Sequence, residues 1–390
     1  MTTPVYLDNH ATTKVDPRVL AAMLPWFGEE YGNASSRQHA FGWRAEAAVE
    51  LARGRVARLI GAESREVIFT SGATESINLA IKGIVQAGTS RGNHVVTSAV
   101  EHPAVLDTCR ALERQGVEVT VLPVDRHGRV APEDVTRAIT PRTVLVSIMT
   151  ANNEVGTLEP VAAIGSLCAE RGVPFHSDAA QAVGRVPVDV RTMNVTALSF
   201  SAHKMYGPKG VGALYLRSTR PPVPLVPQMD GGGHERGLRS GTLNVPGIVG
   251  FGEAASIALA EQQGEADRIR GLRDRLEAGL AAALPDITVN GDPSGRLPHN
   301  ASITFVGARA DRIMMEMKDV AVSAGSACGS ADAGPSHVLK ALGLAPAAAA
   351  STLRFGLGRF TTEEEIDYTI RRVVETVAAI RARMPKLEPA

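Results

Sequence analysis

From residue 67 to residue 216, short apolar, β-branched runs alternate with stretches of helical periodicity, and no other feature constrains the fold as strongly. Val67-Ile-Phe-Thr reads as a strand and Thr74 to Ile84 as the helix after it. His94-Val-Val-Thr-Ser is a strand, Pro103 to Gln115 a helix, Val117 to Leu122 a strand and Pro132 to Ile139 a helix. Thr143-Val-Leu-Val-Ser-Ile-Met is a buried strand, Val161 to Arg171 a helix and Pro174-Phe-His a short strand. Ala197-Leu-Ser-Phe and Gly212-Ala-Leu-Tyr-Leu add two more. Strands that are apolar throughout, separated by helices, predict an α/β domain with a mostly parallel sheet.

The pattern changes near residue 220, where Pro221-Pro-Val-Pro and Gly231-Gly-Gly interrupt it. An Ala-rich helix is expected from Ile248 to Leu284. Strands follow at Thr288-Val-Asn and Ala301 to Phe305, then a helix from Asp311 to Lys318 and another beginning near Pro335. A strand at Thr352 to Phe355 and a helix from Thr361 to about Met384 end the chain. The expected division is a large α/β domain over residues 16–248. A smaller α+β domain combines residues 1–15 and 249–390 and carries a small-residue loop at about 323–334.

Composition excludes several function classes. Lys plus Arg equals 41 and Asp plus Glu equals 41, so the chain lacks the bulk positive charge of a nucleic-acid or anionic-membrane binder. No run approaches the roughly 18 apolar residues of a membrane span. Met1-Thr-Thr-Pro-Val-Tyr-Leu-Asp does not read as a secretory signal. The three cysteines, Cys109, Cys168 and Cys328, are far apart, which points to a reducing cytoplasm and away from a metal site of the CxxC kind.

The chemistry-bearing residues follow strands. Lys204, in Ser201-Ala-His-Lys-Met-Tyr-Gly-Pro, lies just past a strand, where α/β proteins bind ligands, and could bond an aldehyde cofactor. Asp178, in His176-Ser-Asp-Ala-Ala-Gln, could hold a pyridinium nitrogen protonated, or simply cap a helix. Thr70-Ser-Gly-Ala-Thr-Glu-Ser sits at a strand-to-helix turn whose small residues admit a phosphate, or is an ordinary helix start. His102 and the pair Asn152-Asn153 follow two further strands. Each is ordinary alone, and the coincidence of five polar strand ends at one edge is what points to a site.

Taken together, Leu7-Asp-Asn-His-Ala-Thr-Thr, Phe69-Thr-Ser-Gly-Ala-Thr-Glu-Ser, Glu101-His102, Asn152-Asn153-Glu154, Ser177-Asp178-Ala-Ala-Gln181, Ser201-Ala-His203-Lys204 and Gly231 to Thr242 resemble the cysteine desulfurases of the NifS/IscS type. These are enzymes of the class V aminotransferase family, with the pyridoxal 5'-phosphate (PLP) dependent fold type I. The resemblance implies that Lys204 is the Schiff-base lysine, Asp178 the pyridinium partner and Gln181 the donor to the ring 3-oxygen. It implies His102 stacked on the ring and moving protons, and Ala73, Thr74, Ser201 and His203 around the phosphate. Thr242 would reach the cofactor of the second subunit of a homodimer. Asn153 and Arg354 would hold the substrate carboxylate, Asn153 also lying against the cofactor.

Cys109 and Cys168 sit among apolar residues at helical spacing, as small core residues do. Cys328 lies instead in Ser323-Ala-Gly-Ser-Ala-Cys-Gly-Ser-Ala-Asp-Ala-Gly, a composition that predicts a mobile loop and an accessible thiol. The resemblance places the persulfide-forming cysteine here. The implied reaction removes sulfur from L-cysteine, releases L-alanine and passes the sulfur to an acceptor protein, such as an iron–sulfur scaffold. Cys328 would also ligate a cluster transiently in that complex. The alternatives are a related class V enzyme (selenocysteine lyase, cysteine-sulfinate lyase or aminotransferase) and a non-catalytic scaffold with the same fold. No GxxxxGK[ST] or GxGxxG stands in a nucleotide-binding context.

Overall fold

Side-chain alternation along the central strands decides the architecture. Val95, Leu145 and Ala197 point to one face, and their neighbours Val96, Val146 and Leu198 to the other. Such strands need cover on both sides, and helices supply it. The structure, a computed structural model, describes residues 4–220, 222–324 and 336–383.

The described chain opens with β1 (Val5–Tyr6), α1 (Pro17–Met23), α2 (Pro25–Gly28) and α3 (Ala40–Leu59). The alternating region follows as β2 (Val67–Thr70), α4 (Ala73–Ala87), β3 (His94–Ser98), α5 (Pro103–Glu113), β4 (Glu118–Leu122) and α6 (Pro132–Ala138). It continues with β5 (Thr143–Ser147), α7 (Val161–Glu170), β6 (Phe175–Asp178), β7 (Ala197–Ser201) and β8 (Gly212–Leu216). Then come α8 (Val245–Ala283), β9 (Ile287–Asn290), β10 (Asn300–Phe305), α9 (Ala310–Glu316), β11 (Val320–Ala321) and β12 (Ser323–Ala324). The order ends with α10 (His337–Ala341), α11 (Pro346–Ala349), β13 (Thr352–Gly356) and α12 (Glu363–Ala382).

Seven strands form one sheet in the order β2-β8-β7-β6-β5-β3-β4. β8 runs antiparallel to both neighbours, β7 and β2, while β3–β4, β3–β5, β5–β6 and β6–β7 are parallel. Six strands therefore share one direction, and their carboxyl ends lie along one edge. On one face, Ile77 and Ile81 of α4 and Val105 and Leu112 of α5 pack on the sheet. On the other, α3, α7 and the first part of α8 contribute Val56, Ile164 and Phe251.

The stretch before residue 67 carries a helix that the strand–helix reading did not anticipate. α3 buries Ala45, Val49, Ala52 and Val56, a 4-3-4 spacing made inconspicuous by small residues. It packs closely on α8. At Gly252 a Cβ would lie 2.6 Å from both Cα and Cβ of Ala52, so only glycine admits this approach. α8 itself spans two cores. Its residues up to Ala258 join the core of the large sheet, whereas Ile269, Leu272, Leu276 and Leu280 join a second core. That second core lies under an antiparallel sheet in the order β12-β13-β10-β9 and is closed by Val373 and Val377 of α12. β1 pairs in parallel with β11, Val5 opposite Val320. Among the described residues no helix is long and apolar enough to cross a membrane.

Candidate active site

The loops leaving β2, β3, β5, β6 and β7 at the shared carboxyl edge surround a cavity of about 490 Å³, within the size range of small-ligand sites. Ala73 and Thr74 come from the β2 loop, His102 from the β3 loop and Asn153 from the β5 loop. Asp178 ends β6 and Gln181 follows it, and Ser201 ends β7 with His203 and Lys204 after it. The sequence-predicted residues thus meet in one place, with three exceptions. Arg354 is buried behind the cavity, and Thr242 is exposed and does not line it. Cys328 lies outside the described residues.

One end of the cavity suits an anion. α4 starts directly after Gly72, its N-cap, which has no side chain to cap it. Its first N–H groups have no partner inside the helix, and the positive end of the helix faces the cavity through Ala73 and Thr74. The floor is bare backbone. A Cβ at Gly212 would sit 2.6 Å from Gly72 Cα and 2.7 Å from Phe200 O, so β8 can approach only as glycine. Glu75, in the first turn, does not oppose an anion here. Its carboxylate is taken by Arg239 at 2.7 Å and by Ser71 N–H at 2.7 Å.

The other end is built for charge and proton control. Asp178 is buried, and its Oδ1 accepts from Ala180 N–H at 2.9 Å. Burial raises its pKa, while His102 and Lys204 pull it back down. His102 caps α5 by accepting at Nδ1 from Ala104 N–H at 3.1 Å, so the ring proton sits on Nε2. Burial holds the pKa of His102 below the ordinary histidine value. Lys204 Nζ donates to the carbonyls of His10 at 2.5 Å and Ala11 at 2.8 Å. Burial, then Lys204 and Lys209, push the pKa of His203 down to about 4.

His10 was legible only as part of a motif, with no role attached, yet it organises this end. Asn300 Nδ2 donates to Glu154 O at 3.2 Å and meets His10 Nε2 at 3.1 Å, so Nε2 is an acceptor and Nδ1 carries the proton. Nδ1 then donates to Gln181 Oε1 at 3.1 Å, and Gln181 Nε2 donates to His10 O at 3.0 Å. The amide of Gln181 therefore has one orientation. His10 also stacks on His299 at 4.3 Å between ring centroids, and burial keeps both imidazoles neutral.

The Asn152-Asn153 pair divides its work. Asn152 Oδ1 accepts from Glu154 N–H at 2.8 Å and Val155 N–H at 3.0 Å, which shapes the loop, and Asn153 faces the cavity. Arg354 donates to Asn153 O at 2.8 Å and pairs with Asp8 at 3.0 Å, and among the described residues its buried Nε has no hydrogen-bond partner. Cys109 and Cys168 are buried, and desolvation pushes both thiols up to about 12, where neither is a nucleophile at neutral pH.

Residues 5–369 match the family described as Aminotransferase class-V. The chain belongs to this class-V aminotransferase family. Among similar proteins, "Cysteine desulfurase IscS" of Anaeromyxobacter dehalogenans (strain 2CP-C) is 56% identical over 388 residues, covering 100% of this chain and 96% of the relative. "Cysteine desulfurase" of Homo sapiens is 50% identical over 385 residues, 99% of this chain and 84% of the relative. A solved structure titled "NIFS-LIKE PROTEIN" superposes with a TM-score of 0.90 at 38% identity, covering 97% of this chain and 100% of that one.

Class-V aminotransferases are PLP-dependent enzymes, and the residues of this cavity fit that cofactor. The uncapped helix start and its glycine floor accept a phosphate. The buried carboxylate of Asp178 suits a protonated ring nitrogen, which offsets the cost of burying it. An amine is at hand in Lys204, which lines the same cavity.

Proposed function

We propose that this chain is a cysteine desulfurase that takes sulfur from L-cysteine with PLP, releases L-alanine and carries the sulfur as a persulfide on Cys328. One observation carries the reading. Lys204, Asp178, His102 and the uncapped start of α4 converge on one cavity, in a chain 56% identical to a protein named cysteine desulfurase.

When bound, PLP supplies an electron sink for charge left at the substrate α-carbon. Lys204 would hold the cofactor through Nζ and, when free, would take the substrate α-proton there and later return it. Asp178 would keep the ring nitrogen protonated, and Gln181, oriented by His10, would donate from Nε2 to the 3-oxygen. His102, which lines the same cavity with Nδ1 occupied, would move protons at Nε2. Ala73, Thr74, Ser201 and His203 would hold the phosphate, with Thr242 supplied by the second subunit of a homodimer. Asn153 and Arg354 hold the substrate carboxylate, a task suited to a guanidinium. Cys328 thiolate attacks the substrate sulfur. The new S–S bond forms as the C–S bond breaks, the electron pair left on the three-carbon fragment takes a proton at the β-carbon, and the α-carbon regains its proton to give alanine.

The persulfide then passes to an acceptor protein, an iron–sulfur scaffold or another sulfur carrier, where Cys328 also ligates a cluster transiently. Cysteine usage supports a cytoplasmic setting. We divide the chain into residues 16–248, around the cofactor, and residues 1–15 with 249–390, which carry Cys328.

The test combines the cofactor's visible spectrum with alanine and sulfide, measured together after adding L-cysteine and a reductant. Wild type is expected to make both. Cys328→Ala is expected to keep the visible cofactor band and lose persulfide formation. Alanine at the wild-type rate from that variant would sink the nucleophile assignment and favour a lyase.

A further inference from the structure

The segment that carries Cys328 is tied at both ends to residues beside the cavity. On its N-terminal side, Ser323 and Ala324 of β12 pair with Arg354 and Leu353 of β13. On its C-terminal side the described chain resumes at Ser336, the N-cap of α10. Ser336 Oγ donates to Glu154 Oε2 at 2.5 Å and accepts from Leu339 N–H at 3.2 Å, so its hydroxyl serves in both directions. One residue on, His337 Nε2 donates to Glu101 O at 2.9 Å. Glu154 and Glu101 directly adjoin Asn153 and His102, which line the cavity.

Glu154 is not needed to shape its own loop. Its N–H is held by Asn152 Oδ1 and its carbonyl by Asn300 Nδ2. The side chain does not line the cavity, yet it is buried at 5% exposure with its carboxylate on Ser336. Burying a carboxyl is costly and pushes the pKa of Glu154 up to about 7, and the hydrogen bond from the Ser336 hydroxyl partly offsets that cost. The bond joins two segments 182 residues apart in sequence: the loop that presents Asn153 and the foot of the segment that presents Cys328.

We propose that Glu154 is a positioning residue for sulfur transfer. Through Ser336 it anchors the C-terminal foot of the Cys328 segment to the strand-end loop holding Asn153, and this sets how readily the thiol meets substrate sulfur. The inference rests on Cys328 as the sulfur acceptor.

The experiment uses the full-length holoenzyme and compares Glu154→Ala, Ser336→Ala, Ser336→Thr and Cys328→Ala. Cofactor content and the visible band are read beside the single-turnover rate of persulfide formation with L-cysteine. Glu154→Ala and Ser336→Ala are expected to slow persulfide formation about tenfold at saturating cysteine, the size of one lost buried hydrogen bond. Their cofactor band should be unchanged, and Ser336→Thr, which keeps the hydroxyl, should restore the rate. Should Glu154→Ala not fold, the two Ser336 variants decide alone. Wild-type persulfide rates in the anchor variants, with Cys328→Ala inactive, would overturn the anchor and leave the desulfurase reading intact. Loss of the cofactor band in step with the rate would also overturn it, because that marks a structural role in the cavity. Alanine production by Cys328→Ala at the wild-type rate would remove the reading on which the anchor rests.

Discussion

His176 and His102 show how one residue type takes opposite roles two strands apart. His102 stands beyond its strand and faces the cavity, whereas His176 lies within β6, with Ser147 Oγ on Nδ1 at 2.8 Å and Ser199 Oγ on Nε2 at 2.9 Å. Burial alone pushes the pKa of His176 down to about 3. In the unfolded chain a histidine titrates near about 6.5. Between these values the unfolded state binds a proton that the folded state refuses, so this group favours unfolding increasingly as pH falls from 6.5 towards 3. Relative to wild type, His176→Asn should lessen the acid loss of stability by about 1.4 kcal/mol per pH unit in that window. Urea denaturation of both proteins at pH 7 and pH 5 checks this, and parallel slopes would refute the assignment.

At the scale of elements, the segment from Gly231 to Ser240 is held by one buried ion pair. Arg53 of α3 meets Glu235 through two bonds, at 2.7 and 2.8 Å, and Phe69 N–H of β2 adds a third at 2.7 Å. Glu235 and Arg236 both have positive φ, 50° and 59°, which is uncommon for residues other than glycine. The carboxylate's three bonds hold them there. Removing one partner leaves a buried charge alone, so Arg53→Ala should cost about 3–5 kcal/mol. A loss below about 1 kcal/mol in denaturant unfolding would show that water replaces the pair. The consequence reaches the site, because Arg239 of the same segment holds Glu75 at the end of the cavity where α4 begins.

For the whole molecule, the question is whether one chain completes its own site. Thr242 follows the anchored segment and is exposed, away from the cavity lining. If it serves the second subunit, Thr242→Ala should weaken cofactor retention about tenfold or more, as loss of a hydrogen bond to a charged group does. Co-expressed Lys204→Ala and Thr242→Ala chains should then recover activity, because one site of each mixed dimer keeps both residues. No recovery, with mixed dimers demonstrated by sedimentation and mass, would place Thr242 in its own chain's site.

Much of this was readable from residue order. β-branched runs between helical stretches determine a sheet buried on both faces, because such strands have no polar side to give to water. Polar residues placed just past those runs, from Thr74 to Lys204, had to gather wherever the strand ends gather. Periodicity could not show α3, because Ala45 and Ala52 are too small to stand out from their neighbours. Nor could it show that β8 runs backwards, since an apolar run carries no direction. The tertiary structure alone decided the partners. His10 orients Gln181 across 171 residues, Arg354 braces Asn153 across 201, and Glu154 reaches Ser336 across 182. Residue types and their local spacing determine which chemistry is available. Which groups share a proton or a buried charge is a matter of three-dimensional proximity, and only the packed chain sets that.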